Sequence, residues 1–351
     1  MKTKVLVKKT PLKDKIGAFF GNMKRKISDF FYAIGVKIHN VFKRKNRPAK
    51  TTTLQAHKKK KAIFYTLMMI YPIVQFLIFY VIVNFNSILL AFQEFNTETA
   101  TFQFLGFDQF FNNFKDVIYD LFNDAEMKTA TANSFKIYFC SLIIGTPLNL
   151  IFAFLMYKKI PAHGAFRIVL FLPQIISSLV ISLMFRYFVE QALPFLTGIN
   201  LLQSKDTAFN TMIFYCIWAS FGAQIIIYTN AFSKISPELV EYGKLEGMNL
   251  WQEFFKVSLP AIYPTIVIYM VAGVVGIFTN QASLFNFFGA GARDDVQTLG
   301  YIFFVKVLKS DAATYAQYPY ASAAGLLFTI VATPLTFLIK WALEKFGPKE
   351  E

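Results

Sequence analysis

Few residues in this 351-residue chain could run acid–base, nucleophilic or metal chemistry. His39 and His57 lie in a basic stretch and His163 in a short basic segment; none has a metal-ligand neighbour. Cys140 and Cys216 sit inside apolar runs, in neither metal nor disulfide spacing. There is no Gly-x-Ser-x-Gly, and no Gly-x-x-x-x-Gly-Lys-(Ser/Thr) that would cradle a nucleotide. No catalytic residue and no metal ligand is assigned. What remains is binding chemistry. Asn280, Gln281 and Ser283 follow Phe278 and Thr279 in one apolar run, and Trp218, Ser220 and Gln224 share another. Amides and hydroxyls beside aromatic faces suit an uncharged polyhydroxylated ligand such as a sugar: the amides bond hydroxyls and the rings cover CH faces. The same groups serve equally well as hydrogen bonds between membrane helices. Gln174, Ser177 and Ser178 are better suited to helix contact, and Gly273-x-x-Gly276 to close backbone packing.

These clusters must be positioned by elements that lipid solvates. Hydrophobic residues make up 55% of the chain and charged residues 16%, with 42 Phe and 17 Tyr, against roughly 25% charged in a soluble domain. The mean hydropathy is +0.43. Six apolar runs, at about 63–84, 135–157, 167–188, 211–232, 261–287 and 321–341, each approach the roughly 20 residues that cross a bilayer. The fifth is long enough to unwind or tilt in its last part. Pro72, Pro147, Pro173 and Pro334 fall within runs, where neighbouring helices or cavity water must satisfy the freed carbonyls.

The formal charge of +15 is concentrated in one place. Residues 1–62 hold 19 Lys and Arg against Asp14 and Asp29, whereas the rest of the chain is slightly acidic. Ile16, Phe19, Phe20, Met23, Ile27, Phe30, Phe31 and Ile34 recur at helical spacing among these charges, which predicts a basic amphipathic helix lying on anionic membrane lipid. Nucleic acid is not expected as a partner, since no basic, base-reading module is present. No short apolar stretch follows Met1, so a cleaved secretory leader is not expected. The connection 93–132 carries seven acids against Lys115 and Lys128, while 158–167 carries Lys158, Lys159 and Arg167 and no acid. The positive-inside bias therefore predicts cytoplasmic N- and C-termini. The expected domains are a basic segment over 1–62, a six-helix transmembrane domain over 63–345 and a short tail over 346–351.

Residues 233–260 (SKISPELVEYGKLEGMNLWQEFFKVSLP) are too polar to span and too long for a turn. Ser236-Pro237 reads as a helix start and Gly247 as its C-cap. Glu238 and Glu241 fall in the first turn, where the helix dipole favours anions. A second helix is predicted from near Leu250 to just before Pro260, giving a two-helix cytoplasmic projection.

The order Glu241, then Glu246-Gly247, Trp251-Gln252-x-Phe254 and Leu259-Pro260 resembles the EAA loop of ABC importer permeases of the carbohydrate, binding-protein-dependent type. LGFDQF (105–110), FRIVLFLPQIISSLVIS (166–182), TLGYIFF (298–304) and YASAAGLLF (320–328) are similar to other parts of that family, so the likeness spans roughly 63–345. The resemblance implies an all-α membrane protein of six transmembrane helices with a cytoplasmic coupling helix. Glu238, Glu241, Tyr242, Gly243, Glu246, Gly247, Leu259 and Pro260 are the implied coupling residues. Tyr242-Gly243 stands where the family has Ala-Ala, and Met248 where it has Ala. The implied partners are a second, homologous permease, two ATPase subunits that bind the ATP and Mg, and an extracytoplasmic sugar-binding protein; no cofactor is implied for this chain. Expected is an alternating-access importer in a bacterial cytoplasmic membrane. The same fold could import glycerol phosphate, a polyamine or a peptide. A membrane-embedded lipid-modifying enzyme would need acids, bases or nucleophiles at the membrane face, and an ion-coupled carrier would need intramembrane acids.

Overall fold

The computed structural model describes residues 53–308 and 312–348; the amphipathic helix expected around residues 16–34 lies outside them. Six helical stretches among the described residues are long and apolar enough to cross a membrane: Ile63–Leu90, Ala125–Tyr157, Ser178–Thr197, Lys205–Phe232, Tyr263–Phe288 and Thr314–Phe346. The chain divides into two compact units after Leu77. In the first, helix α1 (Thr53–Gln75) runs without interruption past residue 62, through Pro72. In the second, α2 (Val83–Leu90) leads to a short antiparallel hairpin, β1 (Gln93–Asn96) with β2 (Thr101–Phe104), an addition to the all-helical expectation. Helix α3 (Phe107–Asn123) follows, and the second span comprises α4 (Ala125–Cys140), a wide turn and α5 (Thr146–Tyr157).

The third apolar run differs from expectation. Residues 167–188 are not one span: α6 (His163–Ile175) ends where Ile176 and Ser177 become extended, and α7 (Ser178–Tyr187) restarts the helix. Pro173 contributes no N–H to the last turn of α6, which weakens it at that point. The membrane-length stretch therefore shifts to Ser178–Thr197, ending in α8 (Leu193–Thr197), and holds Arg186 and Glu190. None of the six runs read from sequence holds an acid, so Glu190 is an addition to that reading. The two charges pair at 2.9 Å, and Arg186 also donates to the Phe287 carbonyl.

Helix α9 (Lys205–Phe232) is the central span. Gly222 brings the α6 backbone close, since a Cβ there would stand 2.6 Å from the Leu170 carbonyl oxygen. Gln174 donates to the Ala219 carbonyl across the same contact, so it serves helix packing. The fifth span unwinds as its length suggests. Helix α13 (Tyr263–Thr279) stops at Asn280, Ala282 and Ser283 take left-handed backbone angles, and α14 (Leu284–Phe288) resumes. Helix α15 (Leu299–Lys306) lies against the break: a Cβ on Gly300 would stand 2.5 Å from Thr279 backbone atoms. The last span belongs to α16 (Ala312–Phe346).

Between the fourth and fifth spans, α10 (Pro237–Leu245) has Pro in its first turn, and Gly247 takes φ 75° just past its end, as the sequence predicts. The Ser236 side chain makes no capping bond. Helix α11 (Leu250–Glu253) starts on a capping box in which Asn249 accepts from the Gln252 backbone and the Gln252 side chain accepts from Asn249. It does not stop before Pro260: a wide turn (Phe254–Ser258) carries it into α12 (Leu259–Ala261), which holds Pro260.

This loop is fastened to the ends of the spans. Phe254 is buried against Phe154 and Phe232, with ring centroids 5.0 and 6.4 Å apart. Beside it, the Glu253 carboxylate pairs with Lys158, their side chains 8% and 15% exposed. The Lys158 ammonium also lies 5.6 Å from the Phe154 ring centroid and 5.3 Å from that of Tyr157.

Two outcomes follow from these contacts, both readable as thermal unfolding of the purified permease. Gly222→Ala and Gly300→Ala force packed backbones apart and lower stability by about 1–3 kcal/mol each. Glu253→Ala strands the Lys158 charge and costs about 3–5 kcal/mol. The double replacement Lys158→Met, Glu253→Leu recovers most of that loss, because no charge is then left buried.

Candidate functional site

Three helix faces enclose a cavity of about 230 Å3. The second span contributes Ser134, Tyr138 and Ser141; the fourth Cys216, Ser220 and Gln224; the fifth Gly273, Gly276 and Asn280; Thr298 closes it. Each set repeats at three- or four-residue spacing, so each is one stripe of a helix. All of these groups are uncharged. Of the seven binding candidates read from sequence, Ser220, Gln224 and Asn280 meet here.

Part of their capacity is spent on structure. Gln224 accepts a hydrogen bond from the buried Asn149. The Asn280 side chain accepts from the Ala282 N–H at 2.8 Å, which satisfies the backbone where the span unwinds. The Asn280 carbonyl accepts from the Thr298 hydroxyl at 2.9 Å, and the same hydroxyl oxygen caps α15 at Tyr301. Tyr138 donates to the Met270 carbonyl, and its ring fills the space that a Cβ on Gly273 would claim. At Gly276 a Cβ would meet nothing within 4 Å. The glycine pair thus divides its work: one member packs a helix and the other leaves the cavity open.

The other candidates stand elsewhere. Trp218 joins an aromatic cluster, 5.9 Å from Phe185 and 6.2 Å from Tyr215. Phe278 stacks on Phe328 at 5.1 Å and lines a separate cavity of about 800 Å3 with Tyr80, Asn84 and Ser322. Gln281 and Ser283 lie in the unwound segment, partly buried. Sequence reading missed Ser134, Tyr138 and Ser141, although their i, i+4, i+7 spacing within an apolar run is a legible signal.

The 233–260 loop presents a different surface. Val240 and Gly243 face inward, whereas Glu238, Glu241, Tyr242 and Glu246 are exposed. Apolar groups share that outer face: Leu239, Tyr242 and Leu245, the last 87% exposed. Gly247 is exposed at the turn beyond α10, while Leu259 packs into the interior with Phe154 and Phe254, and Pro260 is partly buried beside it. The last two therefore anchor the loop and are not part of its outer face. The unusual Gly243 and Met248 fit one another: a Cβ on Gly243 would lie 3.4 Å from the Met248 sulfur. The large side chain occupies what the small one vacates.

Comparison with known proteins agrees with this geometry. Residues 145–350 match the family described as binding-protein-dependent transport system inner membrane component. The multiple sugar-binding transport system permease protein MsmF of Streptococcus mutans is 25% identical over 271 residues, covering 75% of this chain and 89% of that protein. The arabinooligosaccharides transport system permease protein AraP of Bacillus subtilis is 23% identical over 226 residues, covering 61% and 70%. Among solved structures, a bacterial ABC transporter that imports the acidic polysaccharide alginate aligns with a TM-score of 0.65 at 20% identity, over 84% of this chain and 99% of the other. A second structure of an alginate transporter, in complex with a pentasaccharide-bound periplasmic protein, aligns with a TM-score of 0.63 at 20% identity, over 82% and 96%. A family match over more than half the chain, joined to six membrane-length helices with an interrupted fifth and a polar loop before it, makes this chain a member of the binding-protein-dependent inner membrane components, the permease subunits of ABC transporters.

Proposed function

We propose that this permease imports a sugar or oligosaccharide by alternating access, driven by ATPase subunits that dock on α10. The observation that carries the reading is the outer face of that helix. Leu239, Tyr242 and Leu245 are exposed beside Glu238, Glu241 and Glu246, a mixed apolar and acidic surface that suits a groove on a partner protein. The buried Lys158–Glu253 pair and the Phe154–Phe254 contact make the loop move with the spans. In this reading the loop and both termini are cytoplasmic, a binding protein delivers solute to the opposite face, and a second, similar permease completes the pathway.

The substrate class rests on the uncharged cavity of Ser134, Ser141, Ser220, Gln224 and Asn280 with the Tyr138 ring, and on relatives named for sugar transport. At about 230 Å3 it is smaller than the roughly 300–1,000 Å3 of most small-molecule sites. It holds solute only once the spans part, as alternating access requires.

Docking and substrate binding are tested separately in proteoliposomes holding the assembled transporter. Glu241→Ala with Gly247→Val, the latter strained at φ 75°, leaves the permease in the membrane. Uptake falls by about tenfold or more, equivalent to a loss of about 1.4 kcal/mol of coupling, while sugar no longer stimulates ATP hydrolysis. Normal uptake by the double variant refutes the docking assignment. Gly276→Leu, at a position where a Cβ meets nothing within 4 Å, fills the open side of the cavity; uptake is abolished with thermal stability retained. If uptake persists, solute passes elsewhere.

A further inference from the structure

Helix α3, between the first and second spans, carries an apolar face that the protein does not cover. Projected down its axis, the helix divides into three sectors. Phe110, Asn113, Phe114, Val117 and Leu121 turn inward, with Val117 fully buried against Ala91, Met127 and Leu299. Asp108, Asn112, Asp116 and Asn123 form an exposed polar sector. Between the two, Phe107, Phe111, Ile118 and Phe122 fall within an arc of about 60° at 3.6 residues per turn. All four are exposed, Phe107 at 69% and Phe122 at 70%. Lys115 sits on the rim between the apolar and polar sectors and Tyr119 just inside the polar one, where an ammonium on a flexible stem and a phenol can reach water.

The height of this helix is fixed by the ends of three spans. The Asn113 amide donates to the Ala91 carbonyl at 3.0 Å, one residue past the first span. Asp124 alone separates α3 from the second span. The Tyr320 hydroxyl, near the start of the last span, donates to the Asp120 carboxylate at 2.7 Å. With six alternating crossings these three ends share one membrane face, opposite the 233–260 loop. A helix tied to all three lies along that surface, its polar sector to water and its phenylalanines at the level of the acyl-chain boundary.

We infer that α3 is an interfacial helix whose Phe107, Phe111, Ile118 and Phe122 insert into the lipid leaflet opposite the 233–260 loop. The contact is held by apolar area and not by charge, since the polar sector is acidic and gains nothing from anionic headgroups. The inference stands whatever solute the permease carries.

Spin labels placed by Phe111→Cys, Phe122→Cys and Asp116→Cys, in full-length permease whose Cys140 and Cys216 are replaced by Ala, test it in bilayer nanodiscs. Labels at 111 and 122 relax more with oxygen than with a water-soluble nickel chelate, at a depth of about 5–10 Å below the headgroups; the label at 116 does the reverse. The depths are unchanged between phosphatidylcholine and its mixture with phosphatidylglycerol. Nickel access at 111 and 122 equal to that at 116 overturns the inference, as does shielding of both positions from both reagents, which marks a covering protein. If the cysteine-free background does not fold, Phe111→Trp in the native background gives the same readout. Lipids brominated near the headgroup quench the added fluorescence, and no added quenching over the parent protein overturns it.

Discussion

A backbone that leaves its helix inside a membrane must find new partners for every freed N–H and C=O, and the centre of this permease is organised around meeting that demand. The fifth span unwinds at Asn280–Ser283, and the neighbouring segments converge on the gap. Thr298 donates to the Asn280 carbonyl, Asn280 turns its own side chain onto the Ala282 N–H, and Gly300 lets α15 lie against the Thr279 backbone. The 295–299 stretch is in turn clamped to the second span. Asn133 donates to the Asp295 and Gln297 carbonyls, and Ser134 accepts from the Leu299 N–H. Tyr301 bridges the Gly289 carbonyl and the Ala292 N–H. The cavity lies against these braces, and Ser134, Asn280 and Thr298 both line it and brace the break.

This sharing explains what was legible in the sequence. Long apolar runs announce spans because hydrocarbon requires them, and Pro237 with Gly247 announces a short helix because few other residues tolerate those backbone positions. The break in the third run was not legible. Pro173 weakens a helix but does not dictate where it parts, and that is decided by Ile176 and Ser177 leaving the helical region. The shift brought Glu190 into the span that holds Arg186; their pairing, and the bond from Arg186 to the Phe287 carbonyl at the end of α14, make that placement tolerable. Of the polar candidates, sequence reading named two of the three helices whose faces meet at the cavity but could not tell Asn280, which lines it, from Trp218, which packs among aromatic rings.

The loop before the fifth span shows the same division between outer and inner groups. Its exposed acids and leucines could be read from their placement in a short polar helix. Its attachment could not, because the partners are distant in sequence: Glu253 finds Lys158, and Phe254 finds Phe154. Within 233–260 Glu253 counts only as one of several balancing charges. In the fold it is buried, and its partner lies on the segment that joins the second span to α6.

The fit of Gly243 to Met248 bears on how such loops diverge. Gly243 and Met248 each depart from the Ala that the resemblance implies, one smaller and one larger, and the two are in contact. A methyl on Gly243 would meet the Met248 sulfur at ordinary contact distance, so the site has room for Ala at 243 beside Met248 but for little more. The size tolerated at 243 is therefore set by the residue at 248, and a transplanted segment that brings a large side chain to the first position must bring a small one to the second.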